Sequence, residues 1–137
     1  MSTYLFIEDW TPNLDSLVHP RMRWMGYEQE GDSYIDKRHD PIPTGGLAPP
    51  AVDDSDIPTT VLSIIQIRSV QRGRSVEKLL RKISKIEAGV LKPITVDMDG
   101  YIINGHHRYD AYRILDHFHI NVRVMPYSIN DLVEKNS

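Results

Sequence analysis

The sequence contains no cysteine in its 137 residues. Disulfide bonds, thiolate metal sites and thiol nucleophiles are therefore excluded. The chain has 40% hydrophobic residues, which is enough for one domain with an ordinary hydrophobic core. The absence of cysteine does not decide the compartment, because a cysteine-free protein tolerates both oxidising and reducing surroundings.

The sequence also lacks an apolar run long enough to cross a bilayer. The segment Met1–Ile7 is followed by Glu8 and Asp9, whereas a secretory signal has a basic head and an apolar middle. We therefore expect a soluble, cytoplasmic protein without membrane contact.

An overall excess of positive charge is missing as well, since the net charge is -3. This argues against a basic coat for nucleic acid over the whole surface. The charge is uneven, however: residues 68–108 hold nine Lys/Arg against four Asp/Glu, while residues 28–56 hold eight acids against two bases. The sequence therefore allows a local basic face in its central part.

The N-terminal part shows little regular pattern. Residues 28–58 contain five prolines and no apolar period, which is typical of a lid, an interaction arm or a linker. We expect Arg21–Tyr27 to be a loop that packs Trp24 and Met25 onto the body; a nucleic-acid contact strip is the alternative. Thr3–Ile7 is a candidate edge strand. The predicted organisation is a largely irregular N-terminal extension over 1–56 and a folded domain over 57–137.

The second part carries a clear succession of elements. Thr59–Ile67 is rich in β-branched residues and predicts a strand. Ser75 predicts a helix N-cap and Gly89 the residue after its end. The apolar face of this helix has helical spacing: Val76, Leu79, Leu80, Ile83 and Ile86. A hairpin, a second helix, a strand over 120–124 and a short helix from Ser128 follow, which indicates a compact α+β domain.

The most informative stretch is Asn104-Gly105-His106-His107-Arg108, between a short strand and a helix. Backbone N–H groups and the positive end of the helix dipole meet at such a junction and favour a phosphate. Arg108 could add a bidentate fork. His106 and His107 are adjacent, so on a helix they point about 100° apart and cannot chelate one metal together.

Two segments resemble the ParB N-terminal domain / sulfiredoxin superfamily. Gly89–Val96 is similar to the segment in which Gly-Val-Leu precedes Pro-Ile and a strand, and Asn104–Ala111 is similar to its second box. The resemblance covers roughly residues 57–126 and implies a small mixed sheet with packed helices. It also implies that Arg68, Arg72 and Arg74, in the position of the first box, approach the phosphates from the other side.

The departures from that superfamily narrow the function. His106 stands where sulfiredoxin has cysteine, so its thiol chemistry is excluded. His106 also occupies the position at which chromosome-segregation ParB proteins have an acidic residue that helps to bind a metal ion. The residues that would bind a metal ion in this protein are therefore unknown. The Gly-His-His-Arg form resembles a branch of nucleotide-dependent small-molecule kinases, but the expected glutamate is absent from residues 57–76.

The resemblance implies a protein that binds the phosphate of a nucleotide or nucleic acid at Asn104–Arg108. It further implies a DNA nuclease or a nucleoside-triphosphate hydrolase, in which His106, His107 and Arg108 would be the catalytic residues. Mg²⁺ or Mn²⁺ and ATP or CTP are the corresponding cofactors, and DNA or a nucleotide is the partner. A non-catalytic regulatory module and a small-molecule kinase are the alternatives. A homodimer and a phage or mobile-element accessory role are compatible with this hypothesis.

Overall fold

The structure is a computed structural model, and it describes residues 21–37, 53–70, 73–129 and 131. The candidate strand at 3–7, Arg72 and most of the expected C-terminal helix lie outside these residues. The structure gives the bounds of the α-helices α1 (Arg21–Trp24), α2 (Val76–Glu87) and α3 (His106–Ile114), and Ile129 and Asp131 are helical as well. The seven strands are β1 (Tyr27–Glu30), β2 (Ser33–Asp36), β3 (Thr60–Ser63), β4 (Gly73–Ser75), β5 (Ile94–Val96), β6 (Ile102–Asn104) and β7 (His119–Val124).

The strands form two small sheets. The first is antiparallel, with the order β1-β2-β4. The second has the order β3-β7-β5-β6, in which β7 runs parallel to β5 and the other two pairs are antiparallel. The expected α+β class with a small mixed sheet is thus confirmed. No helix in the described residues is long and apolar enough to cross a membrane.

Helix α2 has both ends that its sequence predicts. The Ser75 side chain accepts a hydrogen bond from the backbone N–H of Lys78 at the start. At the other end Gly89 has φ 92°. The Gly89 N–H donates to the Ile86 carbonyl and the Val90 N–H to the Lys85 carbonyl, each at 2.9 Å, a Schellman arrangement. Leu79 is buried on the core face, but Leu80 is 47% exposed, so the apolar face is narrower than expected.

The N-terminal part is more regular than the sequence suggests. Residues 27–36 form the β1–β2 hairpin, and β2 pairs with β4, so this stretch of the expected irregular region belongs to the fold. Its buried residues are Tyr27, Tyr34 and Asp36. Because a carboxylate takes one inward position of β2, the strand shows no apolar alternation. The boundary between 56 and 57 remains a prediction.

Two further local expectations are wrong. The segment expected as a loop begins with helix α1, and Trp24 does not pack onto the body but is 90% exposed. Met25 packs against the core as expected, and Met22 is fully buried. The strand expected over 59–67 ends at Ser63, because the Ser63 side chain accepts from the backbone N–H of Ile65 and caps a 3-10 turn, Ile64–Gln66. β-Branched residues favour a strand, and the capping serine overrides them here.

Candidate phosphate-binding site

Gly105 forms the junction between β6 and α3. It has φ 107° and ψ 28°, a left-handed conformation that costs a residue with a side chain about 1–2 kcal/mol. A Cβ atom there would lie 3.3 Å from both Arg108 Nη1 and Ile94 Cγ1. Glycine has no side chain to cap the helix, so a ligand anion can approach the backbone of the first turn.

Arg108 is held beside this helix start. Its Nη1 donates to the carbonyl of Pro93 at 2.8 Å, and the side chain is half-buried. Burial lowers the pKa of the guanidinium, although the group remains charged at any physiological pH. One nitrogen of the Arg108 guanidinium is therefore held by the backbone, and the side chain lies next to Gly105.

Lysines of α2 and Lys92 surround Arg108. Burial lowers the pKa of Lys82, and the neighbouring positive charges of Arg108, Lys85 and Lys92 lower it further. A small cleft is lined by Lys82, Lys85, Lys92 and Arg108 together with Ile86 and Val90. The charges thus lie close enough to repel each other, which an anion would relieve.

We use the name basic cluster for Lys78, Lys82, Lys85, Lys92 and Arg108. Burial and the positive charges of Arg74, Lys78 and Lys82 lower the pKa of His107, which lies in the first turn of α3. In the parts of the chain that the structure describes, no member of the basic cluster forms an ion pair with a carboxylate. The spacing of Lys78, Lys82 and Lys85 places the three lysines along one side of α2. Such a row of lysines is more often a solvent-exposed surface than a binding site.

His106 and His107 both contact the segment that precedes α2. The backbone N–H of Val70 donates to His106 Nε2 at 3.4 Å, and that of Ser75 donates to His107 Nε2 at 3.1 Å. Burial, helped by the positive charge of Arg74, lowers the pKa of His106 to about 3 and that of His107 to about 4. Both imidazoles are therefore neutral at neutral pH, with the proton assigned to Nδ1.

The two first-box arginines that the structure describes, Arg68 and Arg74, are engaged in other contacts. Arg74 is buried, and its Nη1 donates to both carboxylate oxygens of Asp110 at 2.9 Å. Arg68 is exposed, with its guanidinium 5.5 Å from the Tyr101 ring centre. Arg72 lies outside the described residues, and Asn104 is exposed at the end of β6.

Arg74 belongs to a buried ionic network that the sequence does not reveal. The carboxylate of Asp110 also accepts hydrogen bonds from the hydroxyls of Tyr27 at 2.5 Å and Tyr34 at 2.7 Å. Arg113 donates to the Tyr27 hydroxyl at 2.7 Å. Burial raises the pKa of Asp110, while Arg74 and the two hydroxyls oppose that shift. The network joins α3 to β1, β2 and β4 and so fixes the segments around the site.

Comparisons with known proteins find similarity among solved structures. No family model and no curated protein sequence matches the chain. The chain is similar to a solved structure of a Pnob8-like ParB-N domain, with 14% identity and a TM-score of 0.47. The similarity covers 58% of this chain and 34% of that chain, so this chain spans about a third of the length of its relative.

Proposed function

We propose that this protein binds a phosphate group of a nucleotide or nucleic acid at the Gly105–Arg108 helix start. The observation that carries the proposal is the basic cluster, which adjoins a helix start with a glycine N-cap. A helix N-terminus favours a nearby anion by about 0.3–1 kcal/mol, and each hydrogen bond to a charged group contributes about 1.5–3 kcal/mol. Together these interactions would compensate the mutual repulsion of the cations.

Binding is better supported than any particular reaction. The Nε2 atoms of His106 and His107 already accept backbone N–H groups, so either imidazole would have to give up that bond to act as a base. Arg108 is suited to stabilising negative charge on a phosphoryl group without a proton transfer. Nuclease or triphosphatase activity through these three residues therefore stays a second proposal, and kinase activity a third.

The expected Mg²⁺ or Mn²⁺ would be held mainly by the ligand. In the described residues, no group of three or more His, Asp or Glu side chains could hold a metal ion. Mg²⁺ commonly keeps several waters and takes phosphate oxygens, so a nucleotide could bring it without a protein cage. Its contribution would be neutralisation of phosphate charge.

Thermal stability with ATP, CTP, GTP and ADP tests the binding. A nucleotide at 100 times its dissociation constant should add about 2.7 kcal/mol to the free energy of unfolding. Lys82→Gln should weaken this effect, and Lys37→Gln is the matched control, because Lys37 follows β2, outside the basic cluster, and pairs with Glu28. No stabilisation by any nucleotide would remove the nucleotide part of the proposal.

A nucleic acid would give a different signature. Binding of a short duplex DNA measured at several salt concentrations should weaken with salt, and Lys82→Gln should reduce the salt slope by about one. Incubation with plasmid and Mg²⁺ or Mn²⁺ tests nicking, beside Arg108→Ala as control. Intact plasmid would remove the nuclease proposal, and nicking that persists in Arg108→Ala would indicate a contaminant.

A further inference from the structure

Lys82 differs from the other lysines of the basic cluster in its surroundings. Its side chain is half-buried, whereas Lys78, Lys85 and Lys92 are exposed. It lines the small cleft between α2 and α3 together with Lys85, Lys92 and Arg108. Among the described residues no carboxylate pairs with Lys82, so its amine is available to a reagent that enters this cleft.

The Lys82 amine is also more reactive than that of an ordinary lysine. A lysine amine acts as a nucleophile only in its unprotonated form. Burial lowers the pKa of Lys82, and the positive charges around it, above all that of Arg108, lower it further. At a given pH, Lys82 therefore has a larger fraction of free amine than an unperturbed lysine.

The cations beside Lys82 suit a reagent that carries a phosphate group. Arg108 and Lys92 can donate hydrogen bonds to phosphate oxygens. Because Lys82 lines the same cleft, a phosphate held there has the Lys82 amine close to whatever group the phosphate carries. Such proximity accelerates a reaction between the two groups. A carbonyl carbon attached to the phosphate would thus lie within reach of a nucleophile.

We propose that Lys82 is a site of acylation by acyl phosphates, compounds in which a carbonyl carbon is bonded to a phosphate oxygen. The Lys82 nitrogen attacks the carbonyl carbon, an N–C bond forms, and the C–O bond to the phosphate breaks. Phosphate leaves with that electron pair and the amine proton passes to water, so that a neutral amide remains on Lys82. Acylation at this place rests on the phosphate binding proposed for the basic cluster.

The modification would regulate the same site. An acylated lysine has lost its positive charge and can no longer donate as an ammonium group. Lys82→Gln is the neutral counterpart of this side chain, so the acylated protein should show the same weaker stabilisation by nucleotides as that variant. A supply of acyl phosphates would therefore reduce the affinity of the basic cluster for its ligand.

Acetyl phosphate, with mass spectrometry of peptides from the full chain, tests the proposal. The acetylation rate at Lys82 is divided by that at Lys37, which is exposed, pairs with Glu28 and lies outside the basic cluster. The acetyl ester of N-hydroxysuccinimide carries no phosphate and gives the same ratio for amine reactivity alone. With acetyl phosphate the ratio should be about tenfold larger than with the ester, the effect expected for one hydrogen bond to a charged group. A large excess of inorganic phosphate should remove this difference.

Two variants show whether the neighbouring cations hold the phosphate. Arg108→Gln and Lys92→Gln should each lower the Lys82 ratio more with acetyl phosphate than with the ester. Lys92→Gln is needed beside Arg108→Gln, because Arg108 also donates to the Pro93 carbonyl and so supports the fold, whereas Lys92 is exposed. Lys37→Gln is the control and should leave the rates at Lys82 unchanged with both reagents.

The proposal fails if the two reagents give the same ratio, if another lysine of the basic cluster is acetylated faster than Lys82, or if excess phosphate does not suppress the preference. Titration of the ¹⁵N-labelled protein with inorganic phosphate separates this failure from that of the proposed function. Saturable shifts at Gly105–Arg108 combined with equal ratios would overturn the acylation and leave phosphate binding intact. Equal ratios without any such shifts would overturn both.

Discussion

Replacing Asp110 by Asn should be among the most damaging changes of similar size in this protein. Asp110 is fully buried, and the Arg74 side chain that it holds has no exposed surface. The asparagine would leave the guanidinium buried, and among the described residues its nearest remaining carboxylate oxygen would be that of Asp36, at 3.9 Å. Breaking a buried ion pair by removing one partner costs about 3–5 kcal/mol. This is a large part of the 5–15 kcal/mol by which domains are typically stable.

Companion variants separate the charge from the hydrogen bonds. Tyr34→Phe removes one hydroxyl from the carboxylate and should cost about 1–3 kcal/mol. The double variant Arg74→Met with Asp110→Asn removes both charges, while the asparagine oxygen can still accept from the tyrosine hydroxyls. It should be considerably more stable than Asp110→Asn alone, because apolar replacement of a buried charge is often tolerated when its partner charge is also removed. Glu77→Gln breaks an exposed pair with Arg81 and should cost at most about 1 kcal/mol.

Urea unfolding followed by far-UV circular dichroism measures these differences, with the slope m compared between variants to exclude a change in the denatured state. The reasoning is refuted if Asp110→Asn unfolds within about 1 kcal/mol of the unmodified protein, the range expected for an exposed pair. It is also refuted if the double variant is as unstable as the single one, since the damage would then not come from an unpaired charge.

Two further predictions concern glycine and pH. Gly100→Ala should lower the free energy of unfolding by at least about 2 kcal/mol, because φ is +89° and a Cβ would lie 2.2 Å from the Gln66 carbonyl oxygen. Gly73→Ala is the control: a Cβ there has nothing within 4 Å, so the free energy of unfolding should change by no more than about 0.5 kcal/mol. Thermal unfolding measures both. Stability should also fall with decreasing pH. The folded pKa values of His106 (about 3) and His107 (about 4) lie below the ordinary 6.5, so the unfolded chain binds more protons below pH 6.5. The stabilisation by the two neutral imidazoles is complete above pH 6.5 and is lost progressively towards pH 4 and below. His106→Gln keeps an acceptor for the Val70 N–H and should show a smaller loss of stability at low pH in urea titrations. An unchanged loss would contradict the assignment of this pH dependence to His106.

The parts of the fold that the sequence predicts are those with local causes. Ser75 and Gly89 mark the ends of α2 because a cap and a left-handed residue act within one helical turn. Gly105 has a positive φ at the junction between β6 and α3, where the sequence places the end of a strand and the start of a helix. The hairpin of β5 and β6 also follows from neighbouring residues.

The interior position of Arg74 could not be predicted in this way. It depends on Asp110, which lies 36 residues further along the chain, and on tyrosines of a hairpin that has no apolar alternation. At the candidate site, Gly105 and Arg108 carry a local signal, but a stripe of lysines looks the same whether it faces solvent or a ligand. The place of Lys82 next to Arg108 becomes evident only when α2 packs on α3.

The buried ionic network also has a consequence for synthesis on the ribosome. The hydrogen bonds from Tyr27 and Tyr34 to Asp110 span 83 and 76 residues. At about 5–20 residues per second, Asp110 is added roughly 4–17 s after Tyr27. β4 is synthesised part-way through that interval, but the hairpin lacks the Asp110 carboxylate until the interval ends. Synthesis must therefore continue through Asp110 before β1 and β2 can reach their final position.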